Sequence, residues 1–117
     1  MAFKRVLLKL SGETLAGKSG VGIDVDAAAE IAREISQVRS ADVELAVVIG
    51  AGNLWRGASQ SMERTIADQI GMVATVMNAL AVKAALHEVG IPALVQSAFG
   101  VSTFVEPFDR TVSVNAL

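Results

Sequence analysis

Two short stretches combine a cationic side chain with small residues in a way that suits phosphate. In Lys9-Leu10-Ser11-Gly12-Glu13 an ammonium stands at the end of an apolar run, followed by a hydroxyl and a glycine. Such a turn can set positive charge beside backbone N–H groups that point at an anion. The plainer alternative is a lysine snorkelling from a strand end, followed by an ordinary Ser-Gly turn. In Gly50-Ala51-Gly52-Asn53-Leu54-Trp55-Arg56-Gly57 the glycines would let backbone approach phosphate oxygens, and Arg56 offers a planar fork that matches them. The spacing is not that of a Walker A loop, because no Gly-Lys-Ser/Thr follows, and Trp55 stands where a dinucleotide fingerprint needs its third glycine. Alone, this Gly-x-Gly is equally a plain turn. Arg56, four residues after Gly52, and Lys9 at a neighbouring strand end favour phosphate.

A third candidate is the series Asp68, Gly71, Thr75 and Asn78, whose steps of three and four residues place them on one helix face. Asp68 could accept hydrogen bonds from ribose hydroxyls, with Gly71 allowing close approach; equally, the stripe could simply face solvent. A buried carboxylate would be costly without partners. His87, near a helix C-terminus, reads as structural or surface, and Trp55 and the methionines as packing residues.

These residues need elements to position them. Lys4 to Leu10 reads as a strand buried on both faces, ended by Ser11-Gly12. The stretch with Gly17, Gly20 and Gly22 reads as a mobile loop. Ala28, Ile31, Ala32, Ile35 and Val38 mark one face of a helix with Asp24 as N-cap, leaving Arg33 and Glu34 outward. Val43 to Ile49 is a second strand, and strand-helix-strand implies a parallel pair with a right-handed crossover. A long helix runs from about Met62 to Val89, with Gly90 as its stop and Gly71 as a bend or packing point. Ile91 to Gln96 reads as a third strand, Phe104 to Phe108 as a short fourth element, and Asp109 as the cap of one more helix. This alternation predicts a three-layer α/β/α sandwich with a mostly parallel sheet, in one domain or part of one. Ligands of such sheets collect at the carboxyl ends of the strands, which here are the turns after Lys9 and after Ile49.

Composition narrows the chemistry. The chain has 117 residues, 52% of them hydrophobic, enough for a real core. Ten Lys and Arg against twelve Asp and Glu leave a formal charge of −2, which does not favour nucleic acid and makes any phosphate site local. With no cysteine and one histidine, disulfides, thiolate zinc sites, thiol nucleophiles and histidine metal clusters are excluded. The N-terminus shows no signal-peptide core and no run approaches about 18 uninterrupted apolar residues, so no membrane and a cytoplasmic location are the expectation.

Lys9 to Glu13, the glycine stretch Gly17 to Gly22, Val47 to Gly57 and Asp68-Gln-Ile-Gly-Met-Val-Ala-Thr-Val-Met-Asn78 together closely resemble bacterial UMP kinases of the amino-acid-kinase fold, in order from residue 4 to about residue 110. That resemblance implies transfer of the γ-phosphoryl of ATP to UMP, with Mg2+ accompanying ATP. Lys9, Leu10, Ser11, Gly12, Gly52 and Arg56 would line the ATP phosphate site, with Lys9 and Arg56 catalytic through their charge. The backbone at Ala51 and the side chain of Asp68 would hold UMP. Gly17, Lys18, Ser19, Gly20, Val21 and Gly22 would correspond to a region implicated in activation by GTP in some members, and self-association would give a homohexamer. The family usually has a third glycine where Ala51 stands. Its members also continue into a segment that wraps UMP and a lobe that binds adenine, so the resemblance implies that residues 1–117 are a single domain, the N-terminal UMP-binding half, inactive without the C-terminal ATP-binding half. The rival expectations are a non-catalytic oxyanion-binding or nucleotide-binding protein of the same fold, such as a molybdenum-storage-type subunit, or another amino-acid-kinase member acting on a carboxylate or carbamate. The Asn53 to Gly57 run and the Asp68 to Asn78 stripe argue for UMP.

Overall fold

Leucine and β-branched residues dominate two six-residue strands, β1 (Arg5–Leu10) and β2 (Glu44–Ile49). They pair in parallel with Arg5 opposite Glu44 and Leu10 opposite Ile49. The Arg5 guanidinium also meets the Glu44 carboxylate at 2.7 Å, a cross-strand ion pair on the surface that adds little energy but marks the register. These features come from a computed structural model that describes residues 3–56, 61–101 and 104–117.

A parallel pair needs a long connection, and α1 (Val25–Ser40) supplies it. Asp24 caps it as expected: its carboxylate accepts hydrogen bonds from the N–H groups of Asp26 and Ala27. Ala28, Ile31, Ala32 and Ile35 form its buried face, while Arg33 and Glu34 are exposed. The 25-residue α2 (Arg64–Glu88) lies against α1 and β2 and contributes Val82 and Leu86 to the same core. By length and composition alone α2 could cross a membrane; the same properties suit a core helix, and packing on α1 and β2 is its observed environment. Gly90, at φ 80°, ends it: the Gly90 N–H donates to the His87 carbonyl and the Ile91 N–H to Leu86, a Schellman arrangement.

Between β1 and α1 the chain makes two 3-10 turns, Gly12–Leu15 and Gly17–Ser19, rather than the expected mobile loop. Leu15 explains why. Its side chain is fully buried between α1 and α2, and its carbonyl accepts the Asp24 N–H at 2.7 Å, so the turn is anchored by an apolar plug.

The strands depart from expectation in two ways. β1 is not buried on both faces: Val6, Leu8 and Leu10 turn toward α1, whereas Leu7 is 63% exposed and Arg5 and Lys9 share its face. On β2, Val48 is 51% exposed. Both helices pack on one face of this pair; on the other, Leu7, Ala46 and Val48 border a gap whose lining also includes Phe108, Ala116 and Leu117. Residues 91–95 form no ladder; β3 is only Gln96–Ser97, pairing in parallel with β4, Glu106–Pro107. Ile91 and Ala93 do pack into the core, but a gap of about 500 Å³ lined by β2 and residues 91–96 takes the place of strand pairing. Asp109 caps α3 (Arg110–Ala116) through the Val112 N–H, as expected.

Because Leu15 bridges both helices, Leu15→Ala should cost about 2–5 kcal/mol of stability, read as a lowered urea midpoint with little change in slope.

Candidate functional site

The parallel register brings the two candidate turns to one end of the strand pair. Leu10 and Ile49 are partners, and the Gly50 N–H donates to the Leu10 carbonyl at 3.0 Å, so the chain segments beginning at Ser11 and at Gly50 leave side by side. Immediately beyond, they touch. A Cβ on Gly12 would lie 2.5 Å from the Asn53 Oδ1, 2.7 Å from the Gly50 carbonyl oxygen and 2.8 Å from the Gly52 nitrogen. Only glycine permits this approach, and two of the three atoms are backbone that cannot swing aside. Among the described residues, the N–H groups of Gly12, Ala51 and Gly52 donate to no backbone carbonyl or side chain. Three such donors lie along one close passage, and backbone N–H groups left over in this way are a chemistry that an anion can use.

The cationic side chains flank this passage differently. Lys9 is exposed on the face of β1 turned away from the helices, one residue before the carbonyl that receives Gly50. Arg56 folds back over its own loop: its Nη2 would be 3.3 Å from a Cβ on Gly52, and it forms an ion pair with Glu13. Glu13 therefore enters the site, a neighbour that sequence reasoning did not assign. The Ser11 hydroxyl accepts the Glu13 N–H at 3.2 Å, which sets the direction of that turn. Gly57 lies outside the described residues.

The loop 50–56 is fixed from beneath by polar groups. Asn53 and Asn78 exchange amide hydrogen bonds at 2.8 and 3.1 Å, and both are buried. The Asn78 amide also donates to the Gly50 carbonyl at 2.7 Å, and the Asn53 amide to the Gly22 carbonyl at 2.8 Å. The Trp55 indole N–H donates to the Ala67 carbonyl at 2.9 Å, and a Cβ added at Gly71 would meet its ring at 3.5 Å, so Trp55 packs beside this turn of α2 and a methyl would fit at Gly71. Ala51 keeps a backbone open to L-residues, since Asp42 is the one described non-glycine residue with positive φ.

The helical stripe divides. Asn78 is fully buried under the loop; Asp68 is exposed and pairs with Arg64 at 3.0 Å, one turn earlier on the same helix. Among the described residues, Arg64 is the one side-chain partner in Asp68's hydrogen bonds and ion pairs, while its neighbour Ala67 holds Trp55 and so keeps this turn of α2 close to the loop. The Thr75 hydroxyl donates to the Met72 carbonyl within the helix. A polar, helix-spaced series was visible in the sequence, but its buried member could be told from its exposed one only by what packs above it. The stretch Gly17 to Gly22 joins the site through one backbone pair: the Gly22 N–H donates to the Asn53 carbonyl at 2.9 Å, opposite the amide bond already described.

The chain matches the amino acid kinase family over residues 4–116. It belongs to that family. A uridylate kinase from Limosilactobacillus reuteri is 44% identical over 118 residues, covering 98% of this chain and 49% of that protein. The crystal structure of UMP kinase from Bacillus anthracis superposes with a TM-score of 0.88 at 31% identity, and that of UMP kinase from Ureaplasma parvum with 0.87 at 30%. Each superposition covers 98% of this chain, and 49% and 52% of those chains respectively. The α/β architecture with parallel strands is thus that of the amino-acid-kinase fold, and the chain spans about half the length of the relatives it matches.

Gly12→Ala tests the close passage directly. Its methyl group would force apart two backbone segments, and overpacking of this kind should cost about 1–3 kcal/mol, measured by urea denaturation.

Proposed function

We propose that residues 1–117 form one domain, the UMP-binding half of a kinase that transfers the γ-phosphoryl of ATP to UMP, giving UDP; the ATP-binding half lies outside these residues. The observation that carries this reading is the passage of Gly12 against Gly50 and Gly52, which gathers backbone donors at the carboxyl ends of two parallel strands, flanked by Lys9 and Arg56. Phosphoryl transfer asks a protein mainly to position the reacting groups and to neutralise spreading charge, and this arrangement offers means for both. Lys9 and Arg56 serve the moving phosphoryl as charge. Leu10, Ser11, Gly12 and Gly52 shape the backbone cradle for the phosphates of ATP. The Ala51 backbone and the Asp68 carboxylate take UMP, the latter by leaving Arg64 for ribose hydroxyls.

Magnesium enters with ATP in this reading. Magnesium bound with a nucleotide takes much of its coordination from phosphate oxygens and water, so it needs no dedicated cluster of protein ligands. The reading also carries assembly as a homohexamer in the cytoplasm, with Gly17 to Gly22 as the segment responsive to GTP. Relatives named uridylate kinase and UMP kinase support it, as does the match of fold across 98% of the chain.

Incubated with ATP, UMP and magnesium, the 117-residue chain should form little or no UDP, because it spans only half the length of those kinases; binding of oxyanions or nucleotides with no turnover even at full length would favour the non-catalytic alternative. In a polypeptide of the relatives' full length carrying this chain, Lys9→Ala should lower kcat by about 10²–10³-fold with UMP affinity retained. A near-normal rate would remove Lys9 from the mechanism. Asp68→Asn should raise the KM for UMP, and an unchanged KM would end the assignment to ribose.

A further inference from the structure

We infer that Asn53 and Asn78 act together as positioning residues that aim the backbone donors of the phosphate loop, an inference that rests on the phosphate-binding reading above. The argument begins with peptide planarity. In a trans peptide the C=O and the following N–H point in opposite directions. Asn78 draws the Gly50 carbonyl toward α2 with a 2.7 Å hydrogen bond, so the N–H of Ala51 must point away from the helix. The Ala51 carbonyl is occupied in turn by the N–H groups of Leu54 and Trp55, both at 2.9 Å, which directs the Gly52 N–H to the other side of that peptide, where Gly12 passes.

The pair is suited to this task by its chemistry. Each side-chain amide gives one hydrogen bond to its partner's oxygen and one to a backbone carbonyl, Gly50 in one case and Gly22 in the other. Both are buried, so a lost bond leaves an unsatisfied group that water cannot rescue. Neither side chain needs to touch ligand. Asn53 additionally ties the turn at Gly22 to the same loop through a second, backbone bond, so two chain segments and α2 are locked by one interlocked amide couple.

Amide hydrogen exchange and UMP titration of the 117-residue chain test this together. In Asn78→Leu, exchange at Gly22, Leu54 and Trp55 should quicken by about tenfold or more while the middle of α2 and α1 keep their protection, and UMP should bind about tenfold more weakly. Uniformly faster exchange through the whole chain would mean a general packing role, and unchanged exchange at those three amides would overturn the inference outright. Should Asn78→Leu fail to fold, Asn53→Ala is read by the same criteria at Gly22, since it leaves Asn78 its bond to Gly50. If the unmodified chain binds no UMP while the local exchange pattern follows expectation, the positioning stands and the nucleotide reading of this loop is what falls.

Discussion

One steric constraint organises the fold: Gly12 must pass within contact distance of the Gly50 carbonyl, the Gly52 nitrogen and the Asn53 side chain. Everything around it is arranged to make that passage possible. The parallel register delivers both turns to the same end of the strands, with Leu10 opposite Ile49. Leu15, plugged between the helices, holds the turn that follows Gly12, while Asn78 holds the turn that follows Ile49. An apolar anchor and a polar one thus fix two segments that have no regular secondary structure in common. The result is backbone polar groups brought together at a strand end, where open α/β sheets gather their ligands.

The two faces of the strand pair are covered unequally. Val6, Leu8, Leu10, Leu45 and Val47 meet the helices, whereas Leu7 and Val48 stand largely exposed. Apolar side chains of this size on a sheet face are normally buried by another layer. Lys9 shares this more exposed face with Leu7, which matters for the proposed role of its charge. A lysine on a face still open to water has a well-solvated ammonium; cover that face and the same charge acts through a lower dielectric, where it counts for more at a phosphoryl group.

How far these features could be read in the sequence follows from how local they are. Asp24 and Asp109 as caps and Gly90 as a helix stop depend only on neighbours within a turn, and each stands where residue type alone had put it. Strand existence and the parallel pairing of β1 with β2 were legible from β-branched runs separated by a helix. Burial of both faces of β1, and strand structure across residues 91–95, depend on layers and ladders that distant residues must provide, and there the expectation failed. The site divides in the same way. Glycine spacing and the two cations pointed to two turns that the register brings side by side, but nothing in the sequence separated Asn78, sealed beneath the loop, from Asp68, paired in solvent with Arg64. The glycine stretch 17–22 read as mobile because glycine freedom is visible in a sequence, whereas the bonds that tie Gly22 to Asn53 are contributed from 31 positions away.

Arg56 illustrates how a site of this kind can rest without ligand. Its guanidinium is engaged by Glu13, and both side chains are more than half exposed. An ion pair this accessible is worth only about 0–1 kcal/mol, because water solvates the separated charges nearly as well as they solvate each other. A phosphate group offers the same fork two oxygens and more charge than a carboxylate, with the neighbouring backbone N–H groups as further donors. In the proposed phosphate-binding role, an incoming anion would compete with Glu13 for this guanidinium and repel the carboxylate. The ion pair with Glu13 accompanies an Arg56 side chain folded over Gly52, and a side chain already held in place has less freedom to lose on meeting a ligand.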